Sequence, residues 1–158
     1  MQKITPCLWF DNNAEEAIEF YSTVFNNVTI TDILRNGPNG PGPEGSILTA
    51  KFTIEGYEFL ALNGGPLFKF NEAISLIVDC PTQEEIDEKW AKLTADGGED
   101  SMCGWLKDKY GLSWQLVPPQ VIKMYQDADT AKADRAMQAM MTMHKLDIAA
   151  IERAYNGE

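Results

Sequence analysis

Asn13-Ala14-Glu15-Glu16-Ala17-Ile18 and Thr82-Gln83-Glu84-Glu85-Ile86, set 69 positions apart, decide the fold. Each places a capping residue three positions ahead of a glutamate, the signature of a helix N-terminus. Each then opens an apolar stripe at three- and four-residue spacing: Ala17, Ile18, Tyr21, Val24 and Phe25 in the first copy, Ile86, Trp90 and Leu93 in the second. An apolar strand precedes each helix, Ile4 to Phe10 and Ala73 to Asp79. Strand, cap and stripe agree in one register (73−4 = 82−13 = 86−17), which predicts an internal repeat in pattern though not in identity.

Reading outward, Asn26-Asn27 ends the first helix and Val28 to Leu34 forms a strand. The stretch from Asn36 to Gly45 holds four glycines and three prolines, which predicts a mobile loop or lid. Ser46 to Ile54 and Tyr57 to Asn63, joined through Glu55-Gly56, read as a β-hairpin. Gly64-Gly65-Pro66 closes the module. In the second copy Gly97-Gly98 ends the helix, and Cys103 to Lys107 pairs with Leu112 to Val117 around Lys109-Tyr110-Gly111. Pro118-Pro119 then stops the sheet. The expected organisation is an α+β domain with a first βαβββ module over 1–66, a second over 67–119 and a C-terminal helical extension over 120–158. In that extension Met137, Met140, Met141, His144, Ile148, Ile151 and Tyr155 line one side of a segment running to the end, a pliable apolar face.

Composition bounds the partners. The 158 residues, 44% hydrophobic and 23% charged, have the proportions of a globular domain. A net charge of −11 repels phosphate backbones and anionic membrane surfaces, so neither nucleic acid nor a membrane is an expected partner. No apolar run reaches the roughly 20 residues a spanning helix needs, and no leader pattern is legible, so the expected location is cytoplasmic. Cys7, Cys80 and Cys103 are odd in number and lack close-paired spacing, which argues for free thiols. His144 is the single histidine, which leaves little for zinc sites or imidazole dyads.

Several stretches carry a family resemblance: Ile4-Thr5-Pro6-Cys7-Leu8-Trp9-Phe10 with Ala14-Glu15-Glu16-Ala17, Ala61-Leu62-Asn63-Gly64-Gly65-Pro66, Phe68-Lys69-Phe70-Asn71-Glu72-Ala73-Ile74-Ser75, and Cys103-Gly104-Trp105-Leu106-Lys107-Asp108-Lys109-Tyr110-Gly111 with Ser113-Trp114-Gln115. With these the chain resembles the PhnB-like family, often named 3-demethylubiquinone-9 3-methyltransferase, of the vicinal-oxygen-chelate (glyoxalase/bleomycin resistance/dihydroxybiphenyl dioxygenase) superfamily. The resemblance implies a glyoxalase/bleomycin resistance-like fold in which two βαβββ modules form a cup, and a homodimer. In metal-using relatives each module supplies two ligands, from its first and last strands. Mapped by strand order, those places fall near Thr5 or Cys7 and on Leu60, and on Ala73 and Gln115. Leucine and alanine have no lone pair for a cation, and an amide is a poor substitute for glutamate. The expectation is a metal-free protein without a cofactor; glyoxalase, dioxygenase or thiol-transferase chemistry then lacks its Lewis acid.

A binding surface remains. Alternation puts Thr5, Cys7 and Trp9 on one strand face, with Ser75 and Ile77, and Ser113 and Gln115, on the matching faces of later strands. The candidate ligand-binding residues are Cys7, Trp9, Leu60, Phe68, Phe70, Ser75, Cys103, Trp105 and Gln115. Gln115 stands in a former metal-ligand place, and Trp9, Phe68, Phe70 and Trp105 can either stack on a ring or serve as core. Cys103 is either a reactive thiol or an inert one, and Glu58 and Glu72 are surface carboxylates unless desolvated. No glycine-rich turn between a strand and a helix marks a nucleotide-type cofactor site. The resulting expectation is a protein that binds a small hydrophobic or aromatic molecule. Three rivals stay open: a methyltransferase-named enzyme acting on a quinone-like ring, a resistance protein that sequesters a small molecule, and an interaction module built on the methionine-rich tail.

Overall fold

The computed structural model describes residues 2–158. The chain divides into two compact units, Met1–Phe70 and Asn71–Glu158. In the first, β1 (Cys7–Phe10), α1 (Ala14–Val24), β2 (Thr29–Arg35), β3 (Ile47–Ile54) and β4 (Tyr57–Asn63) build a four-stranded sheet of order β1-β4-β3-β2. In the second, β5 (Ser75–Asp79), α2 (Gln83–Leu93), β6 (Glu99–Asp100), β7 (Trp105–Lys107) and β8 (Ser113–Val117) give the order β5-β8-β7-β6. The two orders are the same, each with one parallel pair, β1 with β4 and β5 with β8. The helices keep the register of the repeat at both ends (83−14 = 93−24 = 69).

Each helix covers one face of its own sheet. Ala14, Ala17, Ile18, Tyr21 and Val24 of α1 are buried, as are Leu8, Phe10, Ala50, Phe52, Phe59 and Ala61 on the strands. Alternate strand residues project to one side, so the residues between these belong to the opposite, open face. In the second unit Ile86 and Leu93 of α2 are buried with Leu106, Trp114 and Leu116. The hairpin between β3 and β4 turns through Glu55 (φ 49°) and Gly56 (φ 85°), two left-handed residues whose twist matches that of the strands.

The two caps differ. Thr82 accepts from the Glu85 amide at 3.2 Å as the capping box requires. Asn13, expected to cap α1, makes no side-chain cap bond; the Ala14 amide donates instead to Oδ1 of Asn63 at 2.9 Å, while Asn63 Nδ2 donates to the Ile47 carbonyl. The end of β4 thus ties α1 to the sheet. The glycine- and proline-rich connection is stitched together. Asn36 exchanges backbone bonds with Ser46 and Gly45, and its side chain donates to Ser46 Oγ and accepts from the Gly42 amide. With the Asn36 side chain buried, these bonds give a defined conformation to the connection between β2 and β3, the segment expected as a mobile loop or lid.

The C-terminal segment is helical, as expected. It is three helices, α3 (Pro119–Tyr125), α4 (Thr130–Met140) and α5 (Ile148–Asn156). The turn from Met141 to Asp147 breaks the expected single stripe, because Asp147 caps α5 through the Ala150 amide at 2.8 Å. Val121, Ala136, Leu146 and Ile151 form the core of this layer, with Met124, Tyr125, Met140, Met143 and Tyr155 packed on it. His144 lies in the turn, 2.7 Å from Asp100. Gln83 fastens the layer to α2 by donating to the Leu146 carbonyl and accepting from the Ile148 amide. Among the described residues no helix is long and apolar enough to cross a membrane.

Candidate functional site

The open face of the second sheet carries a row of three partners: Ile77 on β5 stands opposite Gln115 on β8, which stands opposite Trp105 on β7. The next row is Ser75, Ser113 and Lys107. Gln115 Nε2 donates to Ser75 Oγ at 2.7 Å, a neutral amide held by a neutral hydroxyl. Ile77 is 64% exposed beside this pair, while Ser113 Oγ is buried without a hydrogen-bond partner. Lys107 Nζ lies 3.1 Å from Glu72 and 2.9 Å from Glu99. Its ammonium is thereby neutralised at the edge of the face, and the two carboxylates raise its pKa. The backbone amide of Glu72, and then Lys107, hold the Glu72 carboxyl below its ordinary range, so Glu72 is an ion-pair partner with little basicity.

The first sheet presents a comparable face. Cys7 stands opposite Leu60, and Trp9 opposite Leu62. The Trp9 indole N–H donates to the Gly65 carbonyl at 2.8 Å, and Phe68 meets its ring edge-on at 4.9 Å between centroids. Gly64 has no alternative here: a β-carbon would fall 2.2 Å from the Trp9 ring. Thr5 Oγ1 donates to Glu58 at 3.1 Å, at the border of the same face.

Of the residues expected from sequence, Cys7, Trp9, Leu60 and Phe68 therefore gather in the first unit, and Ser75, Trp105 and Gln115 in the second. Two lie elsewhere. Phe70 packs edge-on against Phe10, a residue of the helix-covered face, at 5.3 Å. Cys103 precedes β7 and touches the C-terminal layer, its sulfur 3.8 Å from that of Met141. Ala73, matched with Gln115 by strand order, precedes β5, and Ser75 is the residue that reaches the amide. Lys107 went unnoticed in the sequence; its alternation with Trp105 is the signal that places it on this face. Cys80 is buried and desolvation pushes its thiol up to about 11, which leaves it unreactive.

The places that strand order matches to the metal ligands of relatives hold Thr5 or Cys7 with Leu60, and Ala73 with Gln115. This donor set does not fit a divalent cation, since it offers one thiol or hydroxyl and one amide, with no carboxylate or imidazole. Among the described residues no three His, Cys, Asp or Glu side chains form a metal-holding group.

Two four-stranded mixed sheets, each backed by a helix on one side and open on the other, define the glyoxalase/bleomycin resistance class of fold, that of the vicinal-oxygen-chelate proteins. Three solved structures illustrate the likeness. The PhnB protein of Bacillus cereus is 43% identical, with a TM-score of 0.67 over 74% of this chain and 99% of that one. A Pseudomonas aeruginosa protein is 21% identical, TM-score 0.58, over 73% and 96%. The fosfomycin resistance protein FosX of Listeria monocytogenes, solved with Mn(II) and sulfate, is 15% identical, TM-score 0.50, over 75% and 91%; the last two share the fold alone. None of the curated proteins matches. The family model described as 3-demethylubiquinone-9 3-methyltransferase matches residues 2–117, and the chain belongs to that PhnB-like family.

Proposed function

We propose that the protein binds a small, uncharged hydrophobic or aromatic molecule on the open faces of its sheets, without a metal or cofactor. The observation that carries this reading is the Gln115–Ser75 hydrogen bond set between Ile77 and Trp105. Apolar surface supplies affinity for a ring, and a neutral amide and hydroxyl orient a carbonyl or hydroxyl on it. The nearby ammonium is already paired, so the face offers little uncompensated charge to an ionic ligand. On the first sheet Cys7, Trp9, Leu60 and Phe68 offer an apolar, aromatic surface of the same kind.

The proposal extends to a homodimer in the cytoplasm. Exposed Ile77 favours pairing of copies, and the free state of all three thiols suits a reducing compartment. The family description favours a second reading, an enzyme acting on a quinone-like ring. Binding of a methyl donor by the purified protein distinguishes it from simple binding, and stoichiometric protection of a ligand without turnover identifies sequestration.

The test is calorimetric titration with 2-naphthol, a neutral ring bearing one hydroxyl, in the presence of a chelator. Saturable binding is expected, and Gln115→Leu weakens it about 2- to 12-fold, the worth of one lost hydrogen bond. Equal affinity of Gln115→Leu and wild type contradicts the assignment.

A further inference from the structure

One polar group of the second open face has nothing to bind within the chain. Trp114, next along β8, is buried on the side of α2, so Ser113 projects to the opposite side, with Ser75 on β5 and Lys107 on β7 as its register partners. Yet Ser113 is 0% exposed, and its Oγ has no hydrogen-bond partner among the described residues. A hydroxyl shut away from water without a partner is a standing cost to the fold. The ion pair beside it accounts for the burial. β8 lies between β7 and β5 in the sheet, and Glu72 precedes β5, so the Lys107–Glu72 pair at 3.1 Å spans β8 at the row that holds Ser113. It is a strap across the end of the face. Its Glu72 end is weakly held, since that side chain is 63% exposed and pairs so exposed contribute little. Lys107 keeps Glu99 on β6, at 2.9 Å, when Glu72 swings away.

Resting on the reading of the open face given above, we propose that Ser113 is a further polar contact for the ligand, a hydroxyl donor kept beneath the Lys107–Glu72 strap for a carbonyl oxygen, and that the preferred ligand is a neutral aryl ketone. The polarity of the row decides the class. Ser75 Oγ already accepts from Gln115 Nε2, so its own proton points elsewhere. Ser113 has a proton to give, and Lys107 offers donors only. Such a row is satisfied by an oxygen with two lone pairs and no proton of its own, whereas a ligand hydroxyl brings a proton that the row is not built to accept. The ring lies along the neighbouring row, against Ile77 and Trp105, and its carbonyl reaches past Gln115 to Ser113. Same-face residues along a strand stand about 6.6 Å apart, within the length of a two-ring ligand. The ligand is neutral because Lys107 retains Glu99 as its counter-ion.

The test titrates the full-length protein calorimetrically with 1-tetralone and 1-tetralol, one ring system carrying a carbonyl or a hydroxyl at the same carbon, with 2-naphthol as reference. Wild type is expected to bind the ketone about threefold or more tighter than the alcohol. Ser113→Ala weakens ketone binding about 2- to 12-fold, the worth of one hydrogen bond, and removes the preference. It leaves the melting temperature of the ligand-free protein unchanged or raised, because it deletes an unpaired hydroxyl, whereas a structural role for Ser113 lowers it. Glu72→Gln loosens the strap and tightens ketone binding about twofold or more. The proposal is overturned if wild type binds the alcohol as tightly as the ketone, if Ser113→Ala keeps the preference or melts lower, or if Glu72→Gln fails to tighten ketone binding. The wild-type comparison depends on no variant folding. If 2-naphthol binds and the ketone holds no advantage, this inference alone falls; if none of the three binds, the reading of the open face falls with it.

Discussion

Asp108→Ala lowers stability by about 3–5 kcal/mol, a fall in melting temperature of roughly 10 °C for a chain of this size. Asp108 is a carboxylate only 2% exposed, and it serves three donors. Oδ1 accepts from the amides of Tyr110 and Leu112 at 2.9 and 3.1 Å, and Oδ2 from the Trp114 indole at 2.9 Å. Alanine leaves these donors without their acceptor in the turn between β7 and β8, and a buried donor deprived of its acceptor costs about 1–3 kcal/mol. Asp108→Asn loses about half as much: its carbonyl still serves the backbone, but its amide NH₂ then faces the indole N–H. Thermal and urea unfolding of the two variants read the difference. An Asp108→Ala protein within 1 kcal/mol of wild type shows that the turn stands without its carboxylate. The wider consequence is functional, since this turn fixes the register that sets Trp105 opposite Gln115.

Phe52→Ala costs about 3–5 kcal/mol in the first unit, through lost transfer free energy and the cavity left behind. Phe52 is fully buried under α1 and stacks on Phe59, with ring centroids 5.5 Å apart. Its neighbours come from a helix and two strands, which cannot collapse into the space together. The Trp9 indole resonance reports the loss, because Trp9 stands on β1 in the same sheet. Phe52→Leu, which keeps much of the volume, costs less than half as much. A Phe52→Ala protein as stable as wild type contradicts the packing described for this face.

Much of this architecture was legible because local signals repeat. The 69-residue register, the Thr82 cap and the Glu55-Gly56 turn all depend on neighbours in sequence, and each describes an element that forms. What was missed depends on distance. Asn13 looks like a cap, yet its side chain makes no cap bond, and the first amide of the helix, that of Ala14, donates to Asn63, 49 residues beyond it at the end of β4. The methionine stripe reads as one apolar side running to the end of the chain, but the Asp147 cap and the bonds from Cys103 and Gly104 claim the turn between α4 and α5. Strand alternation identified Ser75 and Gln115 as sharing a face, but only the β5–β8 register shows that they bond to each other and that Ala73 lies outside the pair. Where Phe70 and Cys103 lie was not legible for a related reason: an aromatic ring and a thiol look alike in sequence whether they stand beside Gln115, against Phe10 or against another sulfur.

The central claim is that a neutral polar pair among apolar side chains holds an uncharged ring without help from a metal. Isotope-edited NMR of the chelator-treated protein titrated with 2-naphthol tests it most directly. Saturable shifts at the Gln115 side-chain amide, the Trp105 indole and the Ser75 backbone amide are predicted. Unchanged resonances at all three, or shifts that emerge only after a divalent ion is added, contradict it.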